Sequence, residues 1–259
     1  MKKLIAILVS LLFVGSMFGI ASVLGKTGGP DTFGYTYDDT VPYQWIDISA
    51  TGKTDPNLKL DDRGVTVPIG FNFKYYGNTY NEVWISTNGL LQFADTSTTF
   101  TNQDIPTAST PTNIICGFWD DLYPPTAGTV YYQSFDDKFV VQWNDTPHIS
   151  DNGTPRSSMT FQIILYRDSN AIKFQYKEMK NGTGKYADGR SATIGIENID
   201  GTVGLKYYYG NTTNDPAGPI KNGLAIGFKY PGRKAPWEGG GQLPMAQILK
   251  ILKGNKDKE

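Results

Sequence analysis

The chain has 259 residues and a formal net charge of −1, and its basic side chains form no cluster, which excludes a surface built to grip nucleic acid. One cysteine rules out an intrachain disulfide, and one histidine leaves little for histidine-based metal or acid–base chemistry. Aromatic residues reach 13% and helix formers are few, a composition that suits a β-domain long enough to bury a core.

Residues 1–25 predict a signal peptide or N-terminal anchor. Lys2 and Lys3 form a basic head, Leu4 to Val14 is apolar except for Ser10, and Gly19, Ala21, Ser22 and Gly25 supply small residues for cleavage. The apolar character persists to Leu24, so a retained anchor with the lysines on the cytoplasmic side is the alternative to cleavage. No cysteine follows the run, so a lipoprotein anchor is not expected. The expected location is secreted or cell-surface, with membrane contact only through this segment if it stays uncleaved.

Residues 26–230 read as one all-β domain, an antiparallel β-sandwich, jelly-roll-like, of about 10–13 strands. Val65 to Phe73 alternates Val65, Val67, Ile69, Phe71 and Phe73 against smaller or polar neighbours, the pattern of a half-buried strand. Tyr80–Ser86 and Leu90–Phe93 flank Thr87-Asn88-Gly89, and Asn-Gly accepts the positive φ of a tight hairpin turn. Further strands are expected at 114–119, 129–133, 139–143, 159–167, 171–176, 192–197, 203–209 and 224–229. Asp168-Ser169-Asn170, Asp188-Gly189, Asp200-Gly201 and Asn222-Gly223 punctuate them as turns. Short strands at this interval indicate a sandwich or barrel. Cys116 lies in the apolar run Ile114 to Phe118 and is expected to be a buried small hydrophobe.

Beyond Pro231 strand periodicity is lost. Residues 231–242, with Pro236, Trp237 and three glycines, read as a Pro/Gly-rich linker. Residues 243–259 read as a short amphipathic helix, with Met245, Ile248, Leu249 and Leu252 at helical spacing, and a charged tail.

Catalytic chemistry finds little support. His148 would have to serve any triad, yet it falls beside a Gly/Asp/Pro loop and is expected on the surface, and no Gly-x-Ser-x-Gly elbow exists. Four adjacent aspartate pairs stand out: Asp38-Asp39, Asp61-Asp62, Asp120-Asp121 and Asp136-Asp137. Calcium takes six to eight oxygens, and loop carboxylates with backbone carbonyls provide them. Asp120 and Asp121, beside Trp119 at a strand end, are the first candidates for a calcium site, with Asp61 and Asp62 second. Turn capping by the same side chains is the plainer alternative. Among the tryptophans, Trp237 and Trp143 are candidates for ligand contact, Trp237 because it stands outside the strands. Asn144, Asn152, Asn181 and Asn211 begin glycosylation triplets, with Asn152 weakened by Pro155. No cofactor other than calcium is indicated.

Several segments together resemble a known module: Asp31 to Tyr37, Trp45 to Ser49, Ile69 to Gly77, Val83 to Phe93, Phe118 to Leu122, Val130 to Tyr132, Phe161 to Leu165, Ile172 to Tyr176, Ala192 to Asn198 and Asn222 to Ile226. They resemble the nidogen-like β-sandwich domain of secreted bacterial and archaeal surface proteins. The resemblance implies no catalytic residues and a role outside the cytoplasm. The expected function is a non-catalytic structural or adhesive surface protein, whose partners are other copies of itself or surface proteins. One form is strand donation, in which Lys26 to Thr40 complete a neighbour's sheet. The alternative is a carbohydrate- or polymer-binding module with a polysaccharide partner.

Overall fold

The computed structural model describes residues 25–93, 96–210 and 218–239; the expected export segment, the C-terminal helix and Asn211 lie outside them. Thirteen strands form among the described residues: β1 (Thr27–Gly28), β2 (Thr36–Asp38), β3 (Gly64–Tyr75), β4 (Asn78–Ser86), β5 (Leu90–Gln92), β6 (Ile114–Trp119), β7 (Thr129–Ser134), β8 (Lys138–Thr146), β9 (Ser158–Tyr166), β10 (Ile172–Lys180), β11 (Thr193–Glu197), β12 (Gly204–Tyr209) and β13 (Ala225–Lys229). The only helical pieces described are three short 3-10 turns.

All pairings are antiparallel. One sheet has seven strands in the order β1-β2-β13-β10-β9-β8-β7, and the other has six in the order β12-β11-β6-β5-β4-β3. Most neighbours are consecutive in sequence, so each sheet is built around a meander, β7 to β10 and β3 to β6. A jelly roll sends successive strands to opposite sheets, so the jelly-roll expectation is corrected here. Short turns return β4 beside β3, β5 beside β4, β8 beside β7 and β10 beside β9, while the longer connections 93–113 and 147–157 also lead back to the neighbouring strand.

The core lies between the sheets and follows strand parity. Phe139, Val141 and Trp143 of β8 face it with Met159, Phe161, Ile163 and Leu165 of β9 and Ile172, Phe174 and Tyr176 of β10. From the six-stranded sheet Val83, Ile85, Ile115 and Phe118 meet them. Phe161 stacks on Trp143 within its own sheet (4.9 Å, 5°) and contacts Phe118 across the interface (5.7 Å). Cys116 is fully buried as expected, on the other face of β6, and burial pushes its thiol pKa up.

Tyr75 ties three strands together. Its hydroxyl lies 2.6 Å from the Ile114 carbonyl and 2.9 Å from that of Glu197, and it accepts the Glu197 N–H at 3.0 Å. All three groups are buried, so no water replaces a lost partner. Tyr75→Phe is expected to cost about 1–3 kcal/mol, read as a lower urea midpoint with an unchanged slope; a midpoint equal to wild type contradicts the role.

Neither outer face is bare, which explains why outward-facing side chains are buried. Residues 41–53 run as a strap across the seven-stranded sheet. Gln142, Gln162 and Gln175 are cross-strand neighbours on β8, β9 and β10. Gln142 accepts the Ile48 N–H (3.1 Å), Gln162 reaches the Ile46 carbonyl (3.5 Å), and Gln175 grips Gln44 through both backbone groups (2.5 and 2.7 Å). The Lys173 ammonium, buried beside this row, donates to the Pro42 carbonyl at 2.5 Å. The strap then pairs Lys53 with Tyr132, covering part of the β7 edge. Residues 96–110 cover the six-stranded sheet in the same manner. Gln92 holds Ser97 by its N–H and carbonyl (3.0 and 2.6 Å), Thr193 donates to the Gln103 carbonyl (2.7 Å), and Glu197 accepts the Thr107 N–H (2.6 Å). Burial raises the Glu197 carboxyl to about 7.

The segment considered for strand donation is seated at home. β1 and β2 extend the seven-stranded sheet beside β13, and Tyr35 and Tyr37 are buried in the core. Exchange with a neighbour would have to withdraw both rings.

Candidate functional site

The site is assembled by turns that meet where strands end. The 87–89 turn joins β4 to β5, and Gly89 takes the left-handed conformation its Asn-Gly pair predicts (φ 80°). This places Asn88, fully buried, at a junction. Its Nδ2 donates to Asp62 Oδ1 (2.8 Å), its Oδ1 accepts the Leu122 N–H (3.1 Å), and its carbonyl accepts the Asp120 N–H (3.3 Å). One asparagine therefore fixes the segment before β3 to the segment after β6. Asp62 is itself left-handed (φ 47°), a conformation aspartate tolerates better than most residues.

As a result, Asp61, Asp62 and Asp121 each bring a carboxylate oxygen within 4.8 Å of the other two. All three side chains are partly buried, and Asp61 Oδ1 is buried with no hydrogen-bond partner. Burial is the main reason that the Asp121 carboxyl is raised to about 6; the nearby His148 opposes this, and Asp62, Asp61 and Asp120 add to it. Asp61 is raised as well, by burial and then by Asp62. Three crowded carboxylates repel one another, and a divalent cation relieves that repulsion. An all-oxygen set suits a hard ion such as calcium or magnesium, with carbonyls and water completing the shell.

Protons compete with any such ion. A carboxyl raised to about 6 favours the fold while protonated. Without metal, that contribution is full below the unfolded value of 3.8 and is lost as pH rises through about 6. Because such an ion needs the carboxylate, any affinity of the cluster for a divalent cation is expected to fall about tenfold between pH 7 and pH 5. Calorimetric titration at the two pH values checks this, and equal affinity at both removes Asp121 from the ligand set.

Asp120, expected among the ligands, stands apart from the cluster of Asp61, Asp62 and Asp121. It is buried, its Oδ1 lies 3.2 Å from His148 Nε2, and its Oδ2 accepts the Ser191 hydroxyl at 2.6 Å. His148 Nδ1 accepts the Ser150 N–H (3.0 Å), so Nε2 carries the proton donated to Asp120. His148 is also stacked on Tyr186 (3.8 Å, 8°) and is buried, not the surface residue expected. Serine, aspartate and histidine do meet here, but the carboxylate sits between the other two. A hydrolytic triad needs the imidazole against the hydroxyl. The arrangement holds the 120–122 turn from behind and so positions Asp121.

The other expected site residues disperse. Trp143 is fully buried against Phe161, with its Nε1–H on the Ser86 carbonyl (3.2 Å), so it is a core residue and offers no ligand surface. Trp237 lies in a 3-10 turn, Pro236–Gly239, folded back on the outer face of the seven-stranded sheet. Asn144 is half-buried on β8 with its Oδ1 accepting from Gln142 (3.1 Å), whereas Asn181 is exposed and accepts the Ala187 N–H (2.9 Å). Sequence reasoning missed Asn88 and Ser191 as site residues. The hairpin signal at Asn88-Gly89 was present but indicated only a turn.

Two antiparallel sheets closed over one core, with loops strapped to their outer faces, define a β-sandwich module. A family model described as NIDO related matches residues 34–225, which takes in β2 to β12, the strap and the aspartate cluster. The chain belongs to this family of nidogen-related, non-catalytic domains. No solved structure matches it.

Proposed function

We propose that this chain is an extracellular structural or adhesive module of a cell surface, with one end of its sandwich fixed by a calcium ion between Asp61, Asp62 and Asp121. The observation that carries the reading is the convergence of these carboxylates, from turns far apart in sequence, around a buried oxygen with no partner. An exported domain without disulfides rests on core packing, bound ions or assembly, and an ion joining the segment before β3 to the segment after β6 would add a cross-link to the core. Family membership and the N-terminal apolar segment support the location. Partners in this reading are further copies of the chain or other surface proteins.

Mass photometry and negative-stain microscopy on residues 26–259, with calcium and with chelator, test the assembly role. Defined oligomers, sheets or filaments are expected. A particle that stays monomeric at high concentration in both conditions removes self-assembly and leaves only attachment to a different surface protein.

A further inference from the structure

The outer face of the seven-stranded sheet carries an open cleft of about 360 Å³ that neither the core nor the aspartate cluster uses. Three separate segments wall it: the strap with Gln44 and Trp45, the start of β8 with Asp137 and Lys138, and the C-terminal turn with Trp237. Tyr166 and Lys173 project from the sheet between them.

Both indoles are held in place. Trp237 lies over Gly227 of β13, where even a methyl group would come within 2.5 Å of the ring, and it meets Tyr166 edge-on at 6.0 Å. Trp45 stacks on Tyr43 at 6.5 Å, and the Lys177 ammonium lies 5.5 Å from its ring centre. Both rings remain partly exposed. The Trp45 N–H is buried without an acceptor.

The lining mixes two flat apolar rings with an amide, a carboxylate and an ammonium. That combination suits a ligand with apolar faces and a rim of hydroxyls. A pyranose presents C–H groups above and below its ring, which pack against indole, and hydroxyls around the edge that both donate and accept. A purely apolar ligand would strip water from Asp137 and Lys138 without replacing it. We propose that this cleft is a saccharide-binding site, stacking a sugar ring on Trp237 and Trp45 and bonding its hydroxyls to Gln44, Asp137 and Lys138. Its volume is near the lower end of the roughly 300–1,000 Å³ range of ligand pockets, so it holds one or two sugar units of a longer polymer. Lys173 is a positioning residue, since its bond to the Pro42 carbonyl fixes the strap that carries Trp45.

The test is a glycan array of neutral and uronic-acid oligosaccharides probed with residues 26–259, then calorimetric titration of the best binder with calcium and with chelator. The expected result is a ligand whose affinity falls at least tenfold in Trp237→Ala and severalfold in Asp137→Ala. Asp121→Asn and chelator should leave it unchanged, because the cleft and the aspartate cluster share no residue. Gln44→Ala removes only an exposed side chain, so its effect reads the site even where Trp237→Ala lowers stability. An array with no binder overturns the proposal, as does a binder that Trp237→Ala, Asp137→Ala and Gln44→Ala all leave intact.

Discussion

Trp143→Ala is expected to lower the unfolding free energy by about 3–5 kcal/mol, the loss typical of a large buried aromatic cut back to a methyl. The ring is fully buried on β8, next to the edge of the seven-stranded sheet, between Val130 of β7 and Phe161 of β9. It lies nearly flat on Phe161, and Phe161 in turn touches Phe118 of the opposite sheet, so the cavity would open at the contact between sheets. Its indole N–H serves the Ser86 carbonyl, which would be left buried without that donor. Urea unfolding checks the effect. A loss under about 1 kcal/mol would mean that the core collapses around the site and that the sheet contact does not depend on this ring.

Gly89→Ala is the second large effect, and it couples the fold to the site. The residue has φ 80°, and an added Cβ would sit 1.9 Å from the Phe118 carbonyl oxygen. Left-handed strain in a non-glycine residue costs about 1–3 kcal/mol, and overpacking against rigid backbone costs a similar amount, so a loss of about 2–6 kcal/mol is expected. The collision has a direction: Phe118 N–H bonds the Gly89 carbonyl at 3.1 Å, and relieving the clash pulls the 87–89 turn from the end of β6. Asn88 moves with it, and Asn88 holds both Asp62 and Leu122. The variant should therefore lose its calcium response as well as stability. An Ala variant with wild-type stability, or one that is destabilised yet responds to calcium fully, contradicts this coupling.

Strand positions were legible where one face is buried and the other is not. In β3, Val67, Ile69 and Phe73 are buried in alternation with exposed Thr66, Pro68 and Lys74, as the sequence pattern requires. The Asn88-Gly89 turn was legible because positive φ demands glycine. Trp143 was misjudged although its parity was available, since Phe139, Val141 and Trp143 share one face of β8. The straps were not legible. Residues 41–53 and 96–110 cross the strands and are held through their backbone by Gln142, Gln175 and Gln92, so their own side chains carry no period. His148 was read from the polar loop around it, whereas its burial comes from Tyr186 and Asp120, which are distant in sequence. The aspartate pairs were legible as candidates. Which oxygens converge was not, because that depends on where two turns meet: Asp120 turns inward to His148 while its neighbour Asp121 joins Asp61 and Asp62.

The central claim is that an ion at this cluster stiffens one end of the sandwich, and differential scanning calorimetry of residues 26–259 tests it most directly. At pH 7.5, millimolar calcium is expected to raise the unfolding midpoint of the wild-type chain by several degrees over chelator, while Asp61→Asn/Asp121→Asn gives the same midpoint in both. A wild-type midpoint indifferent to calcium, or an increase that the double variant retains, would contradict it.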